Sequence, residues 1–470
     1  MGELWESSAI ELAAMIRGQE VSSRDVIQAH LDRIEAVNPH VNAVVRVLAD
    51  EALAAAEAAD RAIADGLPLG ALHGVPFTVK ENIDLAGTPT TQGLPALADA
   101  VASVDAPHVE RLRAAGGIPI GRTNLPDFGL RVHTDSALHG LTRNPWNPAR
   151  TAGGSSGGEA AALATGMSPL GLGNDLGGSL RNPAHCCGVA SIKPSTGSVP
   201  AGTVIPPENL PIALQLMAVE GVLARRVADV RAGLLAIAGQ HPRDPLSVPA
   251  VFTDLDPARR PKVAVLAEPP GGRTHPGVAA AVRRAADALA DDGFEVSEAI
   301  PPDYELALEL WSTILAPDLR IMKAMLDPIM GEGGRTFLGN ALDGIPAPDL
   351  AGWAAAHTAR HGLARRWSLW FGEYPVLLSP VWSQPAFPVG LDVAGPEGAS
   401  ETLELMRPVL PANLLGTPAA VVPADMTEGL PVGVQVMGSK YTELRCLAVA
   451  EAIERRLGTL TPIAPQPDPG

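Results

Sequence analysis

The stretch from Gly153 to Arg181 reads GGSSGGEAAALATGMSPLGLGNDLGGSLR, with two serines, Ser155 and Ser179, each set among glycines. Between residues 151 and 200 there are eleven glycines, against about five for a chain with 48 in 470. Successive glycines let backbone N–H groups converge on one point, and a following helix start adds the positive end of its dipole. Such a nest holds either a phosphate or a developing oxyanion. The phosphate-binding pattern needs Gly-Lys-Ser/Thr, whereas residues 157–160 read Gly-Gly-Glu-Ala and place an acid at the lysine position. Gly153-Gly-Ser155-Ser-Gly157 also satisfies Gly-x-Ser-x-Gly, the nucleophile elbow of α/β-hydrolases. That reading makes Ser155 the nucleophile and requires a downstream histidine such as His357 or His361.

Outward from this region the chain alternates helix and strand patterns. Ser8-x-x-Glu11 forms a capping-box signature and Ser22-x-x-Asp25 a second helix start, followed by Ile27, Leu31 and Ile34 at helical spacing. An alanine-rich helix over 49–65 ends at Gly66, and Val75 to Val79 then reads as a strand with Lys80 at its end. A helix over 106–115 precedes the strand-like Ile118-Pro-Ile-Gly; 262–266, 276–291 and 294–296 repeat the alternation. Later strands are expected at 375–379, 419–422 and 432–437, with a helix over 442–456 and a loose proline-rich tail from Pro462. The class is α/β. Residues 303–370 read as helical segments broken by Gly331 to Gly334 and by Pro346 and Pro348, a cap or insertion suited to substrate selection.

Composition narrows the function classes. The balance of 35 basic against 52 acidic residues, a net charge of -17, repels nucleic acid and anionic membranes. The amino-terminal segment lacks a secretory pattern, and no apolar run reaches the roughly 18 residues that span a bilayer. Three cysteines, two of them adjacent, suit a reducing compartment, so the expectation is a cytoplasmic protein.

Several segments occur together in a recognisable order. Gly-Gly-Ser155-Ser-Gly-Gly is followed 24 residues later by Asp175-x-Gly-Gly-Ser179-x-Arg181, then Pro183-Ala, Gly188 and Lys193-Pro-Ser. Upstream stand His73-Gly-Val-Pro-Phe-Thr-Val-Lys80-Glu-Asn-Ile-Asp84, Thr123-Asn124 and Asn144-Pro-Trp146. Downstream stand Asn413-Leu-Leu-Gly416-x-Pro418 and Gly429-Leu-Pro-x-Gly433-x-Gln435. This set resembles the amidase signature family over roughly residues 5–457, with 300–400 carrying no matching motif. The resemblance implies one domain with a mixed, twisted sheet flanked by helices on both faces, and no cofactor and no metal. Residues 1–65 would be a helical segment packed on a core of 66–300 and 371–470, with 301–370 as the cap. It further implies a Ser-cisSer-Lys triad of Ser179 as nucleophile, Ser155 as the cis serine and Lys80 as base.

The chemistry suits those residues. An amide needs an activated hydroxyl, a stabilised oxyanion and a proton delivered to the leaving nitrogen. Lys80 can accept a proton through Ser155 from Ser179 if burial among apolar neighbours keeps it neutral. Backbone N–H groups of Leu176, Gly177, Gly178 and Ser179 would form the oxyanion hole. Asp175 and Arg181 are read as an ion pair supporting the loop together with Ser156. His73, His133, His139 and His185 are read as packing or hydrogen-bonding residues, and Cys186 and Cys187 as buried small residues.

Residues 127–134 correspond to a stretch that borders the acyl channel in the family, which places Gly129 and Leu130 at the substrate. Carboxamides with aryl or small hydrophobic groups are the expected small-molecule substrates, with carbamates, including urethanes, and esters as chemically related candidates. No nucleic-acid or membrane partner is expected, and self-association is left open. The rival within the family is the glutaminase subunit of glutamyl-tRNA amidotransferase. That subunit carries Lys-Pro-Thr-Tyr-Gly and Asp-Thr-Gly-Gly-Ser, where this chain has Lys193-Pro-Ser-Thr-Gly197 and Asp175-Leu-Gly-Gly-Ser179. Asn174 is a departure, because relatives often carry Thr or Ser there.

Overall fold

A computed structural model describes residues 3–253 and 260–467. Its strands are β1 (Val44–Val47), β2 (Pro76–Lys80), β3 (Ile118–Thr123), β4 (Asp135–Ser136), β5 (Gly140–Leu141), β6 (Leu170–Asp175) and β7 (Ala190–Lys193). They continue as β8 (Val219–Ala224), β9 (Val263–Val265), β10 (Val296–Glu298), β11 (Val376–Pro380), β12 (Ala419–Thr427) and β13 (Leu430–Gly438). Eleven form one mixed sheet in the order β1-β3-β2-β6-β8-β7-β12-β13-β11-β9-β10, while β4 and β5 pair as a separate ribbon. β2 lies parallel to β3 and β6, β9 lies parallel to β10 and β11, and the central strands pair antiparallel.

Alternate strand residues point to opposite faces, and both faces here are apolar. Val432, Val434 and Val436 of β13 pack into one core with Val278, Val282 and Leu447 from the helices Pro276–Asp291 and Glu443–Leu457. Val421 and Met437 enter a second core with Ala161, Leu163 and Ala184 from the helices Gly157–Ala164 and Arg181–Cys187. β2 divides in the same way. Phe77 and Val79 enter the first core, while Thr78 on the opposite face meets the helix Gly157–Ala164 by donating to Glu159. Lys80, two residues on, shares the face of Thr78.

The helix Ala9–Arg17 begins with the expected capping box, Ser8 Oγ accepting from the Glu11 amide and the Glu11 carboxylate accepting from the Ser8 amide. Ser8→Ala is expected to cost about 1 kcal/mol, visible as a lower Tm with unchanged kcat.

Four strands of the large sheet, β1, β6, β7 and β8, lie outside the sequence expectation, as do β4 and β5 of the ribbon. The segment Leu170–Asp175 reads LGLGND, poor in β-branched residues, yet it is central because glycine is required there. A Cβ on Gly171 would lie 1.8 Å from Glu159 Oε1. The stretch expected as a cap holds the helices Tyr304–Leu326, Glu332–Asp343 and Leu350–Glu373. Gly333 and Gly334, expected to interrupt it, lie inside the second helix, whose start is held by the Gly331 amide donating to Asp127. The tail is also tied down: the amides of Ile463 and Gln466 donate to Ala164 O and Pro145 O. Its last three residues, 468–470, are outside the described ones. Among the described residues no helix is long and apolar enough to cross a membrane.

Candidate active site

Lys80 ends β2 fully buried, and its Nζ donates to Ser155 Oγ at 2.7 Å and to Asn174 Oδ1 at 2.6 Å. Burial lowers its pKa to about 7, against the pull of the carboxylates of Glu220, Asp175 and Glu159. Glu159, bonded by Thr78 and Thr123, is itself raised to about 7 by burial. The lysine is therefore poised to exchange a proton near neutrality.

Ser155 follows a cis peptide bond from Gly154 and precedes the helix Gly157–Ala164. Ser156 supports the loop through its backbone, its amide donating to Ser179 O at 3.2 Å. The Ser156 hydroxyl is buried without a partner among the described residues, so it is not the supporting group.

Ser179 sits in the turn between β6 and the helix Arg181–Cys187. Asp175 organises this turn, its carboxylate accepting from the amides of Gly178 (2.8 Å) and Leu180 (3.1 Å). The same carboxylate takes two bonds from Arg181, each 3.0 Å, and one from Asn413 at 2.9 Å. Burial alone would raise Asp175, but the charge and hydrogen bonds of Arg181 hold it well below the ordinary carboxylate range. Arg181 also donates to Asn413 Oδ1, Val409 O and Gln435 Oε1. The ion pair is fully enclosed.

This geometry corrects one residue of the expected oxyanion hole. The Gly178 N–H is taken by Asp175, so Gly178 serves the turn, where its φ of +99° favours glycine. Of the expected donors, that leaves the N–H groups of Leu176, Gly177 and Ser179. Leu176 O accepts from the indole N–H of Trp311 at 3.3 Å, so the cap braces this segment.

Ser155, Ser179, Asn174 and Asp175 line a cavity of about 430 Å³ together with Gly129 and Leu130. Gly129 lies beside Ser155, since a Cβ there would stand 3.4 Å from its Oγ. Its lining includes the apolar Phe128, Leu176, Leu210, Leu214 and Met322 and the polar His108, Glu208, Glu220, Arg243 and Asp244. Arg131 and His133 belong to the surrounding frame: Arg131 pairs with Asp392 at 2.8 Å, and His133 Nδ1 lies 2.8 Å from Thr151 Oγ1.

Ser155 is bonded to a lysine, not to a histidine, which disfavours the elbow reading. His357, one of its candidates, stacks edge-on against Trp353 in the cap. His73 donates to Ala59 O, His139 bonds Glu81, and His185 bridges Gln384 O and the Gly433 amide. Cys186 and Cys187 are buried, and burial pushes both thiols up, away from the thiolate form.

The family model for Amidase matches residues 25–447. The chain belongs to the amidase family. Within that family it is 44% identical to the indoleacetamide hydrolase of Bradyrhizobium diazoefficiens, over 98% of this chain and 88% of the relative. It is 35% identical to the acylamidase of Rhodococcus erythropolis, over 95% of this chain and 94% of the relative. Among solved structures, 6-aminohexanoate cyclic dimer hydrolase in complex with substrate superposes with a TM-score of 0.83 and 30% identity, covering 97% of this chain and 98% of that one. The amidase fold accounts for the mixed sheet and the helices covering it. Four residues at or beside the site have no sequence signal of their own. Glu220 and His108 lie in no motif, Trp311 falls in the unmatched insertion, and Asn174 is visible only as a departure from the family pattern.

Proposed function

We propose that this amidase hydrolyses carboxamides carrying an aryl or small hydrophobic group, through an acyl-enzyme on Ser179. The observation that carries the reading is the buried 2.7 Å hydrogen bond from Lys80 to Ser155, on the wall of the cavity that also receives Ser179. Neutral Lys80 takes the proton of Ser155 as Ser155 takes that of Ser179, and Ser179 Oγ bonds to the substrate carbonyl carbon. The oxyanion is met by N–H groups of Leu176, Gly177 and Ser179. Collapse breaks the C–N bond, and the proton held on Lys80 returns through Ser155 to the leaving amine. Water then enters by the same relay, releases the acid and restores the Ser179 hydroxyl.

The apolar residues lining the cavity and the 44% identity to an indoleacetamide hydrolase support an arylacetamide-like acyl group. A carbamate, such as a urethane, offers the same carbonyl and leaving amine, and an ester offers an easier leaving group, so both belong among the substrates to be tried. The substrate is a small molecule, and the three buried free thiols support a reducing, cytoplasmic setting.

The test is a panel of arylacetamides, anilides, aliphatic amides, carbamates, esters and free glutamine, assayed with wild type and Lys80→Ala. Neutral amides are expected to be turned over by wild type and lost in the variant. Amide hydrolysis that survives Lys80→Ala while ester hydrolysis falls would sink the relay. Glutaminase activity that depends on partner chains, with no neutral amide cleaved, would favour the amidotransferase reading. Because the base must be unprotonated, kcat/KM on a neutral amide is expected to rise with pH and level off above an apparent pKa near the Lys80 value of about 7. A flat profile from acid to neutral pH would contradict it.

A further inference from the structure

Beyond Lys80 and Asn174 lie polar groups that the hydrolytic relay does not use. Asn174, which accepts from Lys80, stands directly across from Glu220 in the β6–β8 register. Glu220 Oε2 lies 3.6 Å from Nε2 of His108, which is almost wholly enclosed in the helix Pro107–Ala114. Among the described residues neither of these two atoms has a hydrogen-bond partner. Both side chains border the substrate cavity.

The ring of His108 fixes the sense of this contact. Its Nδ1 lies 3.2 Å from Pro200 O, and a carbonyl oxygen only accepts, so the Nδ1 carries the proton. The other nitrogen, Nε2, is then a lone pair facing Glu220, and two acceptors side by side repel unless a proton lies between them, on the carboxyl or on the ring. We infer that Glu220 is a positioning residue for Lys80. Set across from Asn174, which accepts from the amine, and beside the free nitrogen of His108, its carboxyl competes with Lys80 for one proton and sets how much of the lysine is free base.

The inference rests on reading Lys80 as the base. With the proton on Glu220, donated toward His108 Nε2, Lys80 is the neutral amine. With the proton on Lys80, the Glu220 carboxylate stabilises the ammonium and the base is silent. The other groups around the pair are already engaged or act in one direction. Asp175 is committed to Arg181, and Glu159 to Thr78 and Thr123. Asp84, which accepts from Thr90 and the Val204 amide, and Asp244, which accepts from the Ala201 amide, both discourage a charge on Glu220. Arg243, bonded to Asp105 O and Glu110, discourages one on His108. Burial raises Glu220 to about 7 and lowers His108 to about 4, consistent with a protonated carboxyl facing a neutral ring.

The experiment follows the rate at which a neutral fluorophosphonate labels Ser179 from about pH 5 to pH 9, a readout of nucleophile activation independent of substrate choice. In Glu220→Gln, an isosteric change, the midpoint of the rising limb is expected about one pH unit below wild type, because the anionic competitor is gone. In His108→Phe the carboxyl loses its acceptor and ionises more readily, so the midpoint is expected to rise. The double variant should match Glu220→Gln. An unmoved or raised midpoint in Glu220→Gln, or a His108→Phe shift that persists in the Gln background, overturns the proposal. Should His108→Phe not fold, the Glu220→Gln result decides alone. Lys80→Ala separates the two levels. Labelling that survives it with no pH dependence refutes the base itself, whereas labelling lost in Lys80→Ala with an unmoved Glu220→Gln profile refutes only the role of Glu220.

Discussion

Ser179→Ala is expected to lower kcat/KM for amides by about 10⁴-fold or more, while leaving the fold and the binding of product acid intact. The size follows from what the hydroxyl does: without Oγ no acyl-enzyme forms, and the Lys80–Ser155 pair is left to act on water with no pre-placed nucleophile. Alanine fits the space, and the segment keeps its shape through Asp175, which grips the amides of Gly178 and Leu180 rather than the Ser179 side chain. The check is steady-state kinetics together with intact-mass detection of the acyl adduct on a slowly deacylating ester. An adduct that persists in Ser179→Ala and disappears in Ser155→Ala would reverse the two serines and restore the elbow reading.

Arg181→Met is expected to be the most damaging single change to stability away from the reacting atoms. Methionine fills much of the volume, but Asp175 then becomes a buried carboxylate without its cation, a loss of about 3–5 kcal/mol. A fall in Tm of about 3–5 °C is expected, together with loss of activity as the Ser179 turn loosens. The pH dependence has a definite sign. Asp175 is held below its unfolded value of about 3.9, so the stabilisation from the pair is complete above about pH 4 and lost as pH falls through the folded value. In the variant, burial without Arg181 raises the carboxyl, so acid protonates and relieves it. The gap in Tm between wild type and Arg181→Met should therefore narrow toward acid pH, and Asp175→Asn should recover part of the loss in the Met background. A gap that widens in acid would place the damage elsewhere than this charge pair.

Much of the scaffold is legible in the residues alone where strand and helix patterns are undiluted. The apolar Val432–Met437 and Val75–Val79 segments, and the helix closed by Gly66, fall where their periodicity puts them. β6 cannot be read this way because its glycines answer to a tertiary demand, the side chain of Glu159 pressing on Gly171. The site divides along similar lines. Ser155 and Ser179 announce themselves through their dense glycine setting, and Lys80 through the His73–Asp84 segment, in which it ends an apolar strand. Glu220 does not, because its meeting with Asn174 is a matter of strand register across β6 and β8. Gly178 misleads for a related reason: a glycine that opens an oxyanion hole and one that turns the chain onto an aspartate look alike in sequence.

The guanidinium of Arg181 is satisfied in part by Asn413 and Gln435, more than two hundred residues downstream. On a ribosome the full set of partners of Arg181 is present only once β13 has emerged. Until then the Asp175–Arg181 pair lacks the side-chain amides of Asn413 and Gln435 that enclose it. A stop codon ahead of β13 would thus yield not a weakened enzyme but an unfinished interior, and quality control rather than kinetics would decide its fate.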